Sequence, residues 1–201
     1  MESIYGEYKD NLIDIMMYFK NLMDEYNDNV YKSDHTKMFE HISYRIKSEE
    51  SMREKCRRKG IPENEYSALH ILKDAIGIRV VSSFIDDVYT TINYIKTLDN
   101  CKIIEEKDYI KHAKQNGYRS YHIILAINVP FKDVNGNNPG EFYIELQVRT
   151  IAMDTWASLE HQLKYKKDIL NQDLIVDELK RVADELASCD ISMQTIRSLI
   201  K

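Results

Sequence analysis

A chain of 201 residues that is 43% hydrophobic can bury a sizeable core, and its 28 Lys and Arg against 33 Asp and Glu leave a net charge of -5. That balance excludes DNA binding through a broad basic surface and confines any anion site to a local patch. Three scattered cysteines without a CxxC pair exclude a disulfide framework or zinc cluster; with no signal-like amino terminus and no apolar run beyond Ile123 to Ile127, a cytoplasmic protein without a membrane partner is expected.

Residues 2 to about 28 are predicted to form a helix, because Ile4, Tyr8, Leu12, Ile15, Met16, Phe19, Leu22, Met23 and Tyr26 recur at spacings of three and four. Asn27, Asp28 and Asn29 are expected to end it. Phe39 to Ile46 alternates as a short strand, and Ser48 then opens S-E-E-S as the N-cap of a helix that runs to Lys59 and stops at Gly60 and Pro62. Lys47, Ser51, Lys55 and Lys59 follow at intervals of four along one drifting face, with Arg45 just ahead. Such a helix start is a phosphate cradle, or else a surface helix with i,i+4 charge pairs; the residues alone leave both open. A short helix over 64–73 precedes the core strand Ile76 to Val81. Asp74 enters that strand either as a turn acid or as a metal ligand at the sheet edge, and Arg79 shares a face with its odd-numbered neighbours. An amphipathic helix over 85–98 and a strand from Cys101 to Glu105 follow.

Next comes KDYIKHAKQNGYRSYH, in which Lys107, Lys111, His112, Lys114, Arg119 and His122 face a single acid, Asp108. Asn116-Gly117 is a turn signal, and Tyr118 puts a ring at the edge of this basic loop. Polyphosphate with a flat base fits such a loop; a solvated connection is the plainer alternative. Tyr121 to Val129 reads as a buried strand, NGNNPG as a hairpin turn and Glu141 to Val148 as the returning strand. Tyr143, Glu145 and Gln147 project from one side of it, and a carboxylate in mid-strand implies that this face is a cleft. A helix over 151–166 carries Met153, Trp156, Glu160, His161 and Lys164. The last helix, about 172–200, places Leu174, Ile175, Leu179, Val182, Leu186 and Ile196 on one side.

Four motifs stand in series between Arg45 and Lys166: R-x-K-S, K-D-x-x-G-x-R, K-D-Y-I-K-x-x-K-x-N-G-Y-R-S-Y-H, and E-x-Q-V-R-T with M-D-x-W-A-x-x-E-H. The series resembles the RelA/SpoT-type (p)ppGpp synthetases, in the form of a stand-alone small alarmone synthetase. The resemblance implies an α+β fold, a nucleotidyltransferase-like mixed β-sheet flanked by helices, with extra N- and C-terminal helices. It implies one synthetase domain over 1–201, with an N-terminal helix to 30, a catalytic core over 36–168 and a C-terminal helix over 170–201 suited to oligomerisation. It also implies transfer of the β,γ-pyrophosphate of ATP to the 3′-hydroxyl of GTP or GDP, giving pppGpp or ppGpp and AMP in stringent-response signalling. No hydrolase activity is expected, since the chain has no His-Asp dipeptide.

By the same resemblance, Arg45 and Arg79 sandwich adenine, while Lys47, Ser51, Lys55 and Lys59 hold the ATP phosphates. Asp74 and Glu145 bind Mg²⁺, with Glu145 also the base on the 3′-hydroxyl. Tyr118 stacks on guanine, with Lys111, Lys114, Asn116, His122 and Gln147 around the acceptor. Trp156, Glu160 and His161 are read as a structural network behind the site. The implied partners are ATP, GTP or GDP and further copies of the chain, as a tetramer; RNA binding is not indicated. Ala113 and Gln115 stand where the family loop often has prolines, which implies a looser loop before substrate arrives. Two competing readings are an inert guanine-nucleotide or RNA binder using Tyr118 as a stacking platform, and another nucleotidyltransferase. The latter usually shows a Gly-Ser dipeptide, absent here.

Overall fold

Five stretches rich in β-branched and aromatic residues pair into one mixed sheet: β1 (His41–Ile46), β2 (Ile76–Ser82), β3 (Cys101–Asp108), β4 (Tyr121–Val129) and β5 (Gly140–Thr150), in the order β1-β2-β5-β4-β3. β2 and β5 run parallel, and the other neighbours are antiparallel. Five helices complete the fold: α1 (Lys9–Asp34), α2 (Glu49–Lys59), α3 (Ile85–Ile95), α4 (Ile151–Lys164) and α5 (Gln172–Ile200). This computed structural model describes residues 2–164 and 171–200, so the expected continuation of α4 to 166 and the core boundary at 168 lie outside the described residues.

Strand alternation divides the sheet into two unlike faces. Ile76, Ile78 and Val80 of β2, Ile144 and Leu146 of β5, and Ile123 and Leu125 of β4 are almost fully buried. They form one cluster with Leu12, Phe19 and Met23 of α1 and Val88, Ile92 and Ile95 of α3. Each such Leu, Ile or Phe contributes about 1.5–3 kcal/mol by leaving water, so this face supplies much of the driving force for folding. The other face carries the polar residues, flanked by α2 at one end and by α4 and α5 at the other.

Several expected boundaries move. α1 does not stop at Asn27; it follows a 3₁₀ turn at Gly6–Tyr8 and continues to Asp34, ending where His35 adopts a left-handed φ of 54°. The Asn27 amide, instead of breaking the helix, accepts from the Met38 and Phe39 N–H groups at 2.8 and 3.2 Å and donates to the Phe39 carbonyl at 3.0 Å. It ties the loop before β1 to the helix. The segment read as a helix over 64–73 is a single π-helical turn, Ser67–Ile71, and α3 ends at Ile95 rather than 98. β3 reaches Asp108, so Lys107 belongs to a strand and not to the basic loop. At α2 the expected cap forms: the Ser48 hydroxyl accepts from the Ser51 N–H at 3.3 Å, and Gly60 closes the helix at φ 66°. Among the described residues, no helix is long and apolar enough to cross a membrane.

Candidate active site

Residues opposite one another in neighbouring strands share a face, so the register itself assembles the site. One row reads Arg45, Gly77, Glu145, Ile124, Glu105 across the five strands; the next reads Ser43, Arg79, Gln147, His122, Lys107. Ser43, Arg45, Gly77, Arg79, Glu145 and Gln147 line a single open cleft. Gly77 has no side chain, which keeps the floor low between Arg45 and Glu145.

At one end of the cleft the chain enters β2 through Asp74, which is only 6% exposed. Its Oδ2 accepts from Lys47 Nζ and from Lys55 Nζ, both at 2.5 Å, while its Oδ1 is buried with no partner. A buried carboxylate oxygen left unpaired costs about 1–3 kcal/mol, so an incoming cation would gain by meeting it. Glu145 stands close enough to feel this charge: burial first, then Asp74, push its carboxyl above the ordinary range, with Lys47, Lys55 and Arg45 pulling the other way. No group of three or more His, Cys, Asp or Glu that could cage a metal occurs among the described residues. Two carboxylates with one oxygen unpaired fit Mg²⁺, which takes one or two protein carboxylates and completes its shell from phosphates and water. Of the other expected phosphate ligands, Ser51 is engaged in the cap, its hydroxyl accepting from Ser48 at 2.8 Å, and Lys59 is exposed at the carboxyl end of α2.

At the opposite end stand two residues whose role the sequence alone does not disclose. Arg149, 4% exposed in its side chain, donates to Gln147 Oε1 at 2.8 Å, to the Tyr118 hydroxyl at 2.6 Å and to Ser120 Oγ at 3.2 Å. Asp154, at the start of α4, accepts from Arg149 at 3.0 Å and pairs with Arg79 at 3.1 Å. The signal for Arg149 was present: it continues the period-two line of Glu145 and Gln147. The Tyr118 hydroxyl also lies 2.7 Å from His122 Nε2. Having accepted from Arg149, it has a proton of its own to give to that nitrogen. Burial first, and then the charges of Arg149, Lys114, Lys107 and Arg79, hold the His122 imidazole neutral, with its pKa lowered to about 3.

The loop residues divide. Lys114 Nζ lies 4.6 and 4.9 Å from the ring centres of Tyr109 and Tyr118. Asn116 accepts from the Tyr118 N–H at 3.2 Å and donates to Glu160 at 3.4 Å. Lys111 lies elsewhere, 5.1 Å over the Tyr89 ring of α3. Tyr118 is packed rather than projecting, with Trp156 at 6.1 Å and the Arg149 guanidinium 5.3 Å from its centre. Trp156 in turn donates to the Leu179 carbonyl of α5 at 2.7 Å.

Comparison with known proteins now decides the family, since a match to the region found in RelA / SpoT proteins spans residues 44–169, more than half of the chain. The chain belongs to the RelA/SpoT family. It is 41% identical over 162 residues to the GTP pyrophosphokinase YwaC of Bacillus subtilis (strain 168), covering 79% of this chain and 73% of that one. It is 31% identical over 171 residues to the GTP pyrophosphokinase YjbM of the same organism, covering 85% and 77%. A GTP pyrophosphokinase family protein from Streptococcus pneumoniae superposes with a TM-score of 0.83 at 33% identity, over 96% of this chain and 93% of that one. Small alarmone synthetase 1 from Bacillus subtilis, bound to its product pppGpp, superposes with a TM-score of 0.79 at 27% identity, over 96% and 94%. The RelA/SpoT fold expectation therefore holds: a mixed five-stranded sheet with flanking helices and helical additions at both ends.

Proposed function

We infer that this chain is a GTP pyrophosphokinase, a (p)ppGpp synthetase that moves the β,γ-pyrophosphate of ATP onto the 3′-hydroxyl of GTP or GDP. The observation that carries the site assignment is the Asp74–Glu145 acid pair, one buried oxygen unpaired, facing Lys47 and Lys55 in a cleft walled by Arg45 and Arg79. A module that only bound nucleotide would gain nothing from buried carboxylates beside phosphates.

Transfer of this kind needs mainly alignment and charge neutralisation. Arg45 and Arg79, on adjacent strands across Gly77 and Ser43, hold the adenine by stacking as well as charge, which lysine could not match. Lys47 and Lys55 turn from Asp74 to the ATP phosphates, with Ser51 and Lys59 at their flank. Asp74 and Glu145 would hold a Mg²⁺ ion, which when bound would supply positive charge against the transferring phosphates. Tyr118 and Gln147, both bonded to Arg149, position the guanine nucleotide with His122, Lys114 and Asn116. Glu145 accepts the 3′-hydroxyl proton as that oxygen bonds to the β-phosphorus; the bond from the β-phosphorus to the bridging oxygen breaks, and AMP leaves with that oxygen. The raised affinity of Glu145 for a proton suits this role.

The catalytic core is assigned to 36–168 and the protein to the cytoplasm. The apolar side chains exposed along α5, Ile191, Met193, Ile196, Leu199 and Ile200, support assembly into a homo-oligomer such as a tetramer. The deciding experiment incubates the protein with ATP, Mg²⁺ and GTP or GDP and separates products by anion exchange. Equal amounts of AMP and a more highly phosphorylated guanosine species are expected. No AMP with any guanine acceptor, from folded protein that binds ATP, would leave an inert binding module.

A further inference from the structure

The final helix invites a role in oligomerisation, yet its other side is in contact with the basic loop. Gly117 is buried with φ +88°, and a Cβ built on it would stand 2.4 Å from the Ala183 Cβ and 3.7 Å from the Lys180 Cα. Two separate constraints thus require glycine: the left-handed backbone, and the absence of any space toward α5. Arg119 closes the contact. Its Nη1 donates to the Gly117 carbonyl at 3.2 Å and to the Ala183 carbonyl at 3.3 Å, and its Nη2 reaches Asp184 at 3.4 Å. One guanidinium therefore fastens the turn to the helix beside the glycine contact.

α5 is itself tied to the rest of the fold at several points. Thr150 Oγ1, at the end of β5, donates to the buried Asp190 at 2.6 Å. Trp156 Nε1 donates to the Leu179 carbonyl. Nearer the end, Gln194 exchanges bonds with Asp86 at 2.6 and 3.2 Å, and Arg197 pairs with Asp87 at 2.5 Å. These anchors bracket Ala183 from both sides, so the turn at Gly117 rests on an anchored stretch of the helix. Tyr118, the next residue, takes its position from that turn.

We propose that α5 is the seat of the acceptor loop, and that Gly117, Arg119 and Ala183 are positioning residues for the guanine nucleotide, acting through Tyr118. The proposal rests on the pyrophosphokinase reading for the identity of the ligand. It makes the C-terminal helix part of the acceptor site rather than an assembly device alone.

Ala183→Leu tests it, because leucine keeps helix propensity while pushing Gly117 off the helix. The acceptor KM is expected to rise about tenfold or more, since small displacements of positioning groups cost that order. The kcat at saturating acceptor and the Kd for a non-hydrolysable ATP analogue should stay within about twofold, and Glu185→Gln, on the outer side of the same helix, should leave acceptor KM unchanged. A second readout is independent of turnover: Trp156 is the sole tryptophan and bridges α5 and Tyr118, so its emission should follow GDP binding, with the midpoint moved upward in Ala183→Leu. A folded Ala183→Leu protein with wild-type acceptor KM overturns the proposal, as does parallel loss of ATP-analogue affinity. Should that variant not fold, Arg119→Ala against Arg119→Lys decides: a raised acceptor KM in the first, partly restored in the second, supports the seat, and no change in either removes it. Wild-type protein that forms no AMP, yet shows a GDP-dependent Trp156 signal shifted by Ala183→Leu, sinks the pyrophosphokinase reading while the seat stands.

Discussion

On the side of the cleft assigned to ATP, Asp74 meets Lys47 across 27 positions of sequence and Lys55 across 19, and all three come from β1, α2 and β2 or their immediate ends. On the side assigned to the acceptor, Tyr118 meets Arg149 across 31 positions, and Arg119 meets Ala183 across 64. The donor side is built from neighbouring rigid elements whose side chains already pair with one another. The acceptor side is a turn with no regular structure of its own, held by a strand, a helix start and the final helix. Substitutions should therefore separate the two substrates: changes at Asp74 are expected to act on the donor and changes behind Tyr118 on the acceptor, with Glu145 between them.

Glu145→Gln breaks the shared point and has the largest expected effect. Turnover should fall by about 10²–10⁴-fold, the usual worth of a positioned base, while binding of an ATP analogue persists; turnover near wild type would remove Glu145 as the base. Asp74→Asn should cost about 10²-fold in rate by weakening charge stabilisation at the phosphates. It should also flatten the Mg²⁺ titration of ATP-analogue binding, whereas acceptor binding read by Trp156 emission stays intact. Loss of acceptor binding in that variant would erase the division between the halves.

The acceptor half should also be the acid-sensitive one. His122 is neutral when folded, with its pKa lowered to about 3, and takes up a proton readily only when unfolded. The unfolded form therefore binds more protons between about pH 6.5 and pH 3, so stability is full above 6.5 and falls as the pH drops through that window. At pH 5 the loss amounts to about 2 kcal/mol relative to pH 7.5. Urea unfolding of wild type and His122→Asn at both values checks it: the variant should lack that part of the pH dependence, and identical slopes would contradict a neutral buried imidazole. The smallest effect is expected from Tyr118→Phe, which keeps the ring but takes an acceptor from Arg149. It should raise the acceptor KM by roughly fivefold, about 1 kcal/mol, with ATP affinity unchanged; an equal change in both would mean that Arg149 orders the whole cleft.

Much of this was legible in the residues because strand alternation and capping are local. The boundaries of β4, the shared face of Glu145 and Gln147 and the Ser48 cap all follow from the identities of near neighbours. Periodicity says which side chains lie on one face, but not what that face will meet. For that reason α5 departs from its expected line: Leu174 and Ile196 are 58% and 52% exposed, while Ala183 and Asp190 point inward. Small and polar residues face the turn and Thr150 because those neighbours leave no room for leucine and need a partner for a hydroxyl. The role of Asn27 was hidden for the same reason, since its bonds go to a segment that folds back beside the helix. So too with Arg149 and Asp154, whose importance lies in mutual distance and burial. The chain alone determined most of the elements, the family motifs and the shared face of Glu145 and Gln147. Only the tertiary structure decided how the acceptor loop is held, because that depends on how α5 is rotated and anchored against residues far from it in sequence.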